Sequence, residues 1–487
     1  MNHIHSSTKE YDAIIVGAGF SGLYQLICLR DQLGLKCVVL ETGDDVGGTW
    51  YWNRYPGARC DTESHAYSYY FSDELLKEWT WSERYPGHEE IREYMNFVAS
   101  KFDLKKDILF KQKVTSAKFI EDSNNWNVKT DNNNFKCKFL ITAVGCLSNT
   151  NIPKIKGLEN FEGSYYHTGN WPKNGVSFVN KTVGQIGTGS TGIQAVPVIA
   201  AEAKHLTVFQ RTANYSIPAR NKPLTEKFKK QVKENFQYYK DLIKRTPNAH
   251  PFEISDRLVS DVNSEEMKHI YEKAWEKGGL QFRAAFNDLV TNFEANKTAS
   301  DFIKNKINET VLNKKFASIL SDIDHPYAGK RPPIDSNYFE TYNRDNVNLI
   351  DLRRDPIKCI NKNGIETEKN NFDLDIIVFA TGYDAMTGPL LNMNIFGKNN
   401  LKLKNVWKEG PKTFLGLQIP GFPNLFTITG PGSPSVLTNM PMAIEQHVEW
   451  IRDCISFMIK KEYTTIEARP NLAKKWGQEV NRVANKT

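Results

Sequence analysis

Two loops of one pattern, Gly17-Ala18-Gly19-Phe20-Ser21-Gly22 and Gly187-Thr188-Gly189-Ser190-Thr191-Gly192, constrain this chain more than any other feature. A GxGxxG loop carries weight only with a strand before it and a helix after it. Tyr11–Val16 is a continuous apolar run, as for a strand covered on both faces of a parallel sheet; Leu23–Leu29 reads as the following helix and Cys37–Leu40 as the returning strand. The second loop repeats the plan with Thr182–Ile186, a helix over Ile193–Ala203 and a strand at Leu206–Phe209, although Gly184 and Gln185 weaken its first strand. Small residues there let backbone N–H groups reach a pyrophosphate at the positive end of a helix. The fold class expected is α/β, with two dinucleotide-binding, Rossmann-like domains.

The charged residue after each loop separates the two ligands. At the same distance from the first glycine stand Glu41 and Arg211, where such a unit reads the ribose. A carboxylate accepts from a free diol, whereas a guanidinium suits a 2'-phosphate. Two dinucleotides are expected, one of them phosphorylated.

The 487 residues allow several domains, about three at ~150 residues each. Between Asn221 and Tyr327 the texture turns to charged amphipathic segments, with helices expected over Leu224–Lys244, Ser264–Lys277 and Ser300–Leu312. Phe228, Phe236, Tyr238 and Tyr239 read there as packing residues. Strands resume at Val347–Ile350 and Leu374–Ala380, the latter returning the chain to its first domain. The partition expected is 1–150 with 373–487, then 151–220 with 328–372 inserted, and 221–327 as a helical insertion in the second unit.

The net charge of +7 is small, and acidic residues interleave with basic ones, which disfavours nucleic-acid binding. Seven cysteines lack CxxC or metal-type spacing, so no metal and no flavin-disulfide chemistry are expected. Met1–Glu10 reads as neither signal peptide nor anchor, and no apolar run reaches bilayer length. A cytoplasmic protein without a membrane partner is expected; the oligomeric state stays open, with a monomer as the working expectation.

Two further stretches carry a family resemblance. Gly47 to Asp61 fits (A/G)GxWxxxx(F/Y)P(G/M)xxxD, and Phe161 to Pro172 fits FxGxxxHxxxWP. With Gln210–Tyr215, Gly329–Pro332, Tyr342–Val347 and Gly430–Ser435, they make nearly the whole chain, from about Tyr11 to about Trp450, resemble the type I Baeyer–Villiger monooxygenases. The resemblance implies FAD in the first unit, NADPH (leaving as NADP+) in the second, and insertion of oxygen from O2 beside a ketone carbonyl through a C4a-peroxyflavin and a tetrahedral adduct.

By resemblance the catalytic residues are Arg331, which stabilises the peroxide anion and then the adduct, and its carboxylate partner Asp61. The cofactor-binding set it implies is Gly17, Gly19, Phe20, Ser21, Gly22, Glu41, Gly48, Thr49, Trp50, Tyr51, Trp52, Arg59, Cys60, Asp61, Tyr67, Val114, Gly187, Thr188, Gly189, Ser190, Thr191, Gly192, Ile193, Arg211, Thr212, Lys330, Arg331 and Met440. Lys330 joins Arg211 and Thr212 around the 2'-phosphate. Val436, Leu437 and Met440 shape the ketone pocket. Tyr51, Trp52, Tyr55 and Tyr67 divide between flavin wall and packing. His167 takes a hinge-side role, with general-base chemistry as the alternative, and Trp171-Pro172 forms a rigid corner.

Family chains continue beyond the helix around Gln446–Lys461 with a segment that closes over the nicotinamide nucleotide. No counterpart is read before Thr487, and a site open there is expected to waste NADPH as hydrogen peroxide. The rival readings are a flavin monooxygenase acting on sulfur or nitrogen centres and a non-catalytic flavin-binding protein.

Overall fold

The computed structural model describes residues 8–486; most of the stretch read as lacking a signal peptide, Met1–Ser7, lies outside them. The strands Lys9–Val16 and Cys37–Leu40 pair in parallel, and Lys9–Val16 also pairs with Asn134–Thr142. Ile14 and Ile15 are fully buried on opposite faces, which is why this strand reads as an unbroken apolar run. Around it forms an eight-stranded sheet in the order Asn394–Phe396, Val114–Ile120, Asn125–Thr130, Asn134–Thr142, Lys9–Val16, Cys37–Leu40, Ile108–Leu109, with Leu425–Thr427 beside Asn134–Thr142.

A second sheet, parallel throughout, runs in the order Val347–Asp351, His205–Gln210, Thr182–Ile186, Ile376–Phe379, Ser164–His167. Here the structure corrects the expectation for Leu374–Ala380. The strand Ile376–Phe379 does not return to the first sheet: it lies inside the second, in register with Thr182–Ile186 (Ile376 opposite Val183, Phe379 opposite Ile186). The chain rejoins the first sheet only at Asn394–Phe396, which pairs with Val114–Ile120.

The two residues that weakened Thr182–Ile186 have positional reasons. A Cβ on Gly184 would stand 2.6 Å from Leu374 Cδ1, so glycine admits the neighbouring side chain. Gln185 is fully buried, and its Nε2 donates to the carbonyls of Gly187 (3.1 Å) and Gly192 (3.2 Å), bracing the glycine loop from below.

The segment 221–327 is helical. The expected helix Leu224–Lys244 is broken at Asn235 into Glu226–Glu234 and Phe236–Arg245. The helix expected to start at Ser300 begins earlier, as Phe293–Thr310, capped by Asn292, whose Oδ1 accepts from Glu294 N (3.0 Å) and Ala295 N (3.2 Å). Ser300 is a buried mid-helix residue, donating to Asn296 Oδ1 at 3.2 Å. Tyr271, Phe282, Ile303 and Ile307 join the core of the second sheet, while Tyr239 and Ile243 pack on Ala66 and Tyr70 of the first. The insertion therefore bridges both units. No described helix is long and apolar enough to cross a membrane.

Candidate active site

Each glycine loop sits at the C-terminal end of its sheet's strands, and the two are built alike. Gly17 has φ +107° and faces the carbonyl of Ala143, 2.6 Å from where a Cβ would stand; Gly187 has φ +108° and faces Ala380 O at 2.3 Å. Only glycine fits that conformation against a backbone oxygen. Ala380-Thr381-Gly382 thus does for the second loop what Ala143-Val144-Gly145 does for the first, which is why Ile376–Phe379 belongs to the second sheet.

At the first loop, Phe20, Ser21 and Gly22 open a buried helix. The Glu41 carboxylate is buried and accepts from Ala18 N and Gly43 N, both at 2.7 Å. Burial pushes its carboxyl pKa up, against the lowering effect of those backbone bonds. A carboxylate has about four acceptor positions, so acceptor capacity remains for a ribose diol. Gly48 approaches Gly19 so closely that a Cβ on it would lie 2.7 Å from Gly19 Cα. Val114 opens the strand two residues after Gln112, whose N–H binds Glu41 O at 2.8 Å. These residues fit a dinucleotide with a free ribose.

At the second loop, Gly189 and Ser190 are exposed, Thr191 half-buried, and Ile193 buried in the core below. Thr188 Oγ1 donates to Thr212 O at 3.0 Å, tying the loop to the Arg211-Thr212 corner. Arg211 and Lys330 are exposed and have no ion-pair partner among the described residues. An unneutralised cation at the corner tied to such a loop, as Arg211 is, fits a phosphorylated ribose.

Asp61 and Arg331, 270 positions apart, form a two-pronged ion pair, Nε to Oδ2 at 2.9 Å and Nη2 to Oδ1 at 2.7 Å. The third prong, Nη1, donates to the carbonyl of Val436. Burial opposes the charge on Arg331, and Asp61 more than offsets it, so its pKa is raised and the cation is permanent. Cys60 and Tyr67 lie in the same field; burial raises both pKa values, and Tyr67 Oη accepts from Trp50 Nε1 at 3.0 Å.

Other predicted residues have structural partners. Tyr51 donates to Asp44 (2.6 Å) and meets Trp52 edge to face. Tyr55 donates to Gln194 Oε1 (2.7 Å) and Arg59 O accepts from Gln194 Nε2 (3.2 Å), so the first motif docks on the helix Ser190–Glu202 of the second unit. Thr49 starts a short helix after Gly48. Met440 opens the helix Met440–Lys460 and packs against the first core. Leu437 is exposed and Val436 half-buried.

His167 Nδ1 accepts from Gly169 N at 3.0 Å, and burial lowers its pKa. It stands edge to face with Tyr383, whose hydroxyl donates to Asn53 of the first motif. The two connections between the sheets run side by side there: Asn151 N donates to Gly382 O at 3.0 Å and Asp384 N to Asn149 O at 2.9 Å. His167 therefore lies beside these two connections. Trp171 is buried in the second core against Tyr166 and Phe178.

The sequence reading missed a strap from the helical insertion. Asn248 and Ala249 have positive φ, and Asn248 meets the loop Val436–Met440 directly. His250 is buried and lines a small cavity with Asp61, Glu63 and Leu280. Burial, then the charges of Arg331 and Arg283, push its pKa down to about 4.

Residues 11–239 match the flavin-binding monooxygenase-like (FMO-like) family. The chain is 44% identical to the cyclohexanone 1,2-monooxygenase of an Acinetobacter species, covering 99% of this chain and 89% of that protein. It is 42% identical to a Baeyer–Villiger monooxygenase of Pseudooceanicola batsensis (98% and 88% covered) and 39% identical to the phenazine N-monooxygenase PhzNO1 of Lysobacter antibioticus (99% and 89%). Among solved structures, an oxidised steroid monooxygenase bound to NADP superposes with a TM-score of 0.95 at 46% identity, covering 98% of this chain and 92% of that one. The protein belongs to the flavin-dependent monooxygenases, and within them to the Baeyer–Villiger family.

Proposed function

We propose that the protein is an FAD- and NADPH-dependent Baeyer–Villiger monooxygenase that converts ketones to esters or lactones with O2. The observation that carries this is the Arg331–Asp61 pair with its third bond to the loop at Val436. When bound, FAD reduced by NADPH would supply the electrons that activate O2. FAD falls to the loop of the eight-stranded sheet, with Glu41 on its ribose, and NADPH to the second loop, with Arg211, Thr212 and Lys330 on its 2'-phosphate. Val436, Leu437 and Met440 take the ketone side. Seven free cysteines agree with a cytoplasmic setting.

Arg331 has five N–H donors, and its three described bonds leave two for the reacting centre. Asp61 fixes the guanidinium plane, so the charge needs no reorganisation when negative charge builds on the ketone oxygen. Arg331→Ala is expected to lower ester formation from a cyclic ketone by ~10²-fold or more, with FAD still bound. Unchanged ester yield from that variant would refute the assignment. The likeness to a phenazine N-monooxygenase makes nitrogen oxidation the second reading, and product analysis with a ketone and an aromatic N-heterocycle separates the two.

A further inference from the structure

We infer that Asn248, on the helical insertion, is a positioning residue for ketone selectivity, because it holds the pocket loop at Leu437 and Asn439, next to the Val436 carbonyl that Arg331 holds. The inference rests on the reading above that Val436 and Leu437 line the ketone site.

Three groups of Asn248 are engaged at once. Its Nδ2 donates to Leu437 O, its carbonyl accepts from Asn439 N at 2.9 Å, and its Oδ1 accepts from Arg283 Nη1 at 3.4 Å. The backbone reaches this arrangement through φ +61°, ψ +17°, a left-handed conformation that asparagine tolerates better than most residues. On the other side of Leu437, Val436 O accepts from Arg331 Nη1, and Asn439 Nδ2 donates to Ala66 O at 2.8 Å. Three of the four residues from Val436 to Asn439 are therefore pinned, Val436 by the proposed catalytic arginine, Leu437 by the insertion, and Asn439 by the insertion and the first domain.

Val436 is half-buried and Leu437 exposed, so their side chains make few packing contacts that would fix them. The backbone bonds are what remain to set where those side chains stand. Loss of the Asn248–Leu437 bond frees that carbonyl on one side only. The expected result is a changed pocket shape with Arg331 still paired to Asp61.

The test compares Asn248→Asp with wild type. Aspartate keeps the turn and strengthens the contact to Arg283 but cannot donate to Leu437 O, so thermal stability is expected to hold while selectivity moves. The ratio of kcat/KM for a small against a large cyclic ketone should shift by about three- to tenfold, the change expected from one hydrogen bond. Asn248→Gly, which keeps the left-handed backbone and the Asn439 bond, should shift the ratio likewise. A positioning role predicts that KM carries more of the change than kcat. Val436→Ala serves as the control for the pocket itself. If it moves the ratio and both Asn248 variants leave it unchanged, the inference is overturned; if none of the three moves it, the pocket assignment fails and the inference with it.

Discussion

Arg211 and Lys330 are exposed cations with no carboxylate partner among the described residues, whereas Arg331 is locked by Asp61. The difference fits the tasks proposed for them. A catalytic cation must be preorganised, while a phosphate reader receives its counter-charge from the ligand. Arg211→Ala removes the proposed reader and, among the described residues, breaks no ion pair. The NADPH-over-NADH ratio of kcat/KM is then expected to fall about 10- to 100-fold, the effect of one or two charge-assisted hydrogen bonds. Steady-state kinetics with both cofactors check this, and an equal loss for both would remove Arg211 from the phosphate site. The pair Arg331 and Asp61 could be named from motifs, but the bond to Val436 O could not. Nor could Asn248 and His250 be found, since Thr246-Pro247-Asn248-Ala249-His250 reads as an ordinary turn and its partners lie about 190 residues away.

Among the elements, the two motifs turn out to be joints. Tyr55 to Arg59 docks on the helix Ser190–Glu202 through Gln194, and a Cβ on Gly57 would stand 2.4 Å from Gln194 O, so glycine is required for that approach. Gln194→Ala removes all three side-chain bonds at the joint, to Tyr55 Oη, Arg59 N and Arg59 O, and is expected to cost about 1–3 kcal/mol. Thermal melting and protease sensitivity of the holoenzyme measure it; an unchanged melt would mean that the joint is held elsewhere. The strands and helices around both loops were legible because buried parallel strands and glycine turns leave strong local signals. Ile376–Phe379 was misplaced because Ala380-Thr381-Gly382 resembles the small-residue end of a strand in either sheet, and only pairing decides between them. The start at Ser300 failed for a related reason: a serine followed by an aspartate mimics a cap, while the true cap, Asn292, precedes Phe293, an exposed aromatic that gives no apolar onset.

For the whole molecule, buried titratable groups link stability to pH in opposite directions. His250 and His447 are held near 4 mainly by burial, below the ordinary histidine value of about 6.5. Their contribution is present above that value and is lost as pH falls toward 4, because the unfolded chain then binds more protons. Glu445 is pushed up to about 7 and Asp335 to about 6, again first by burial, so their contribution is present at low pH and is lost as pH rises through those values. Between roughly pH 4.5 and 6 the two pairs nearly cancel, and a flat stability profile is expected there. Glu445→Gln breaks the balance. Glutamine can still accept from Tyr70 N and Phe71 N, the bonds by which Glu445 ties the helix Met440–Lys460 to the segment after Tyr67, but it cannot ionise. Relative to wild type, the variant should therefore gain stability steadily as pH rises from about 5 to about 7 and hold that gain above it. Melting curves of both proteins from pH 4.5 to 8.5 read the difference directly. A difference that stays constant across the range would mean that Glu445 keeps its ordinary carboxyl behaviour in the fold, and that its tie to Tyr70 and Phe71 acts through hydrogen bonding alone.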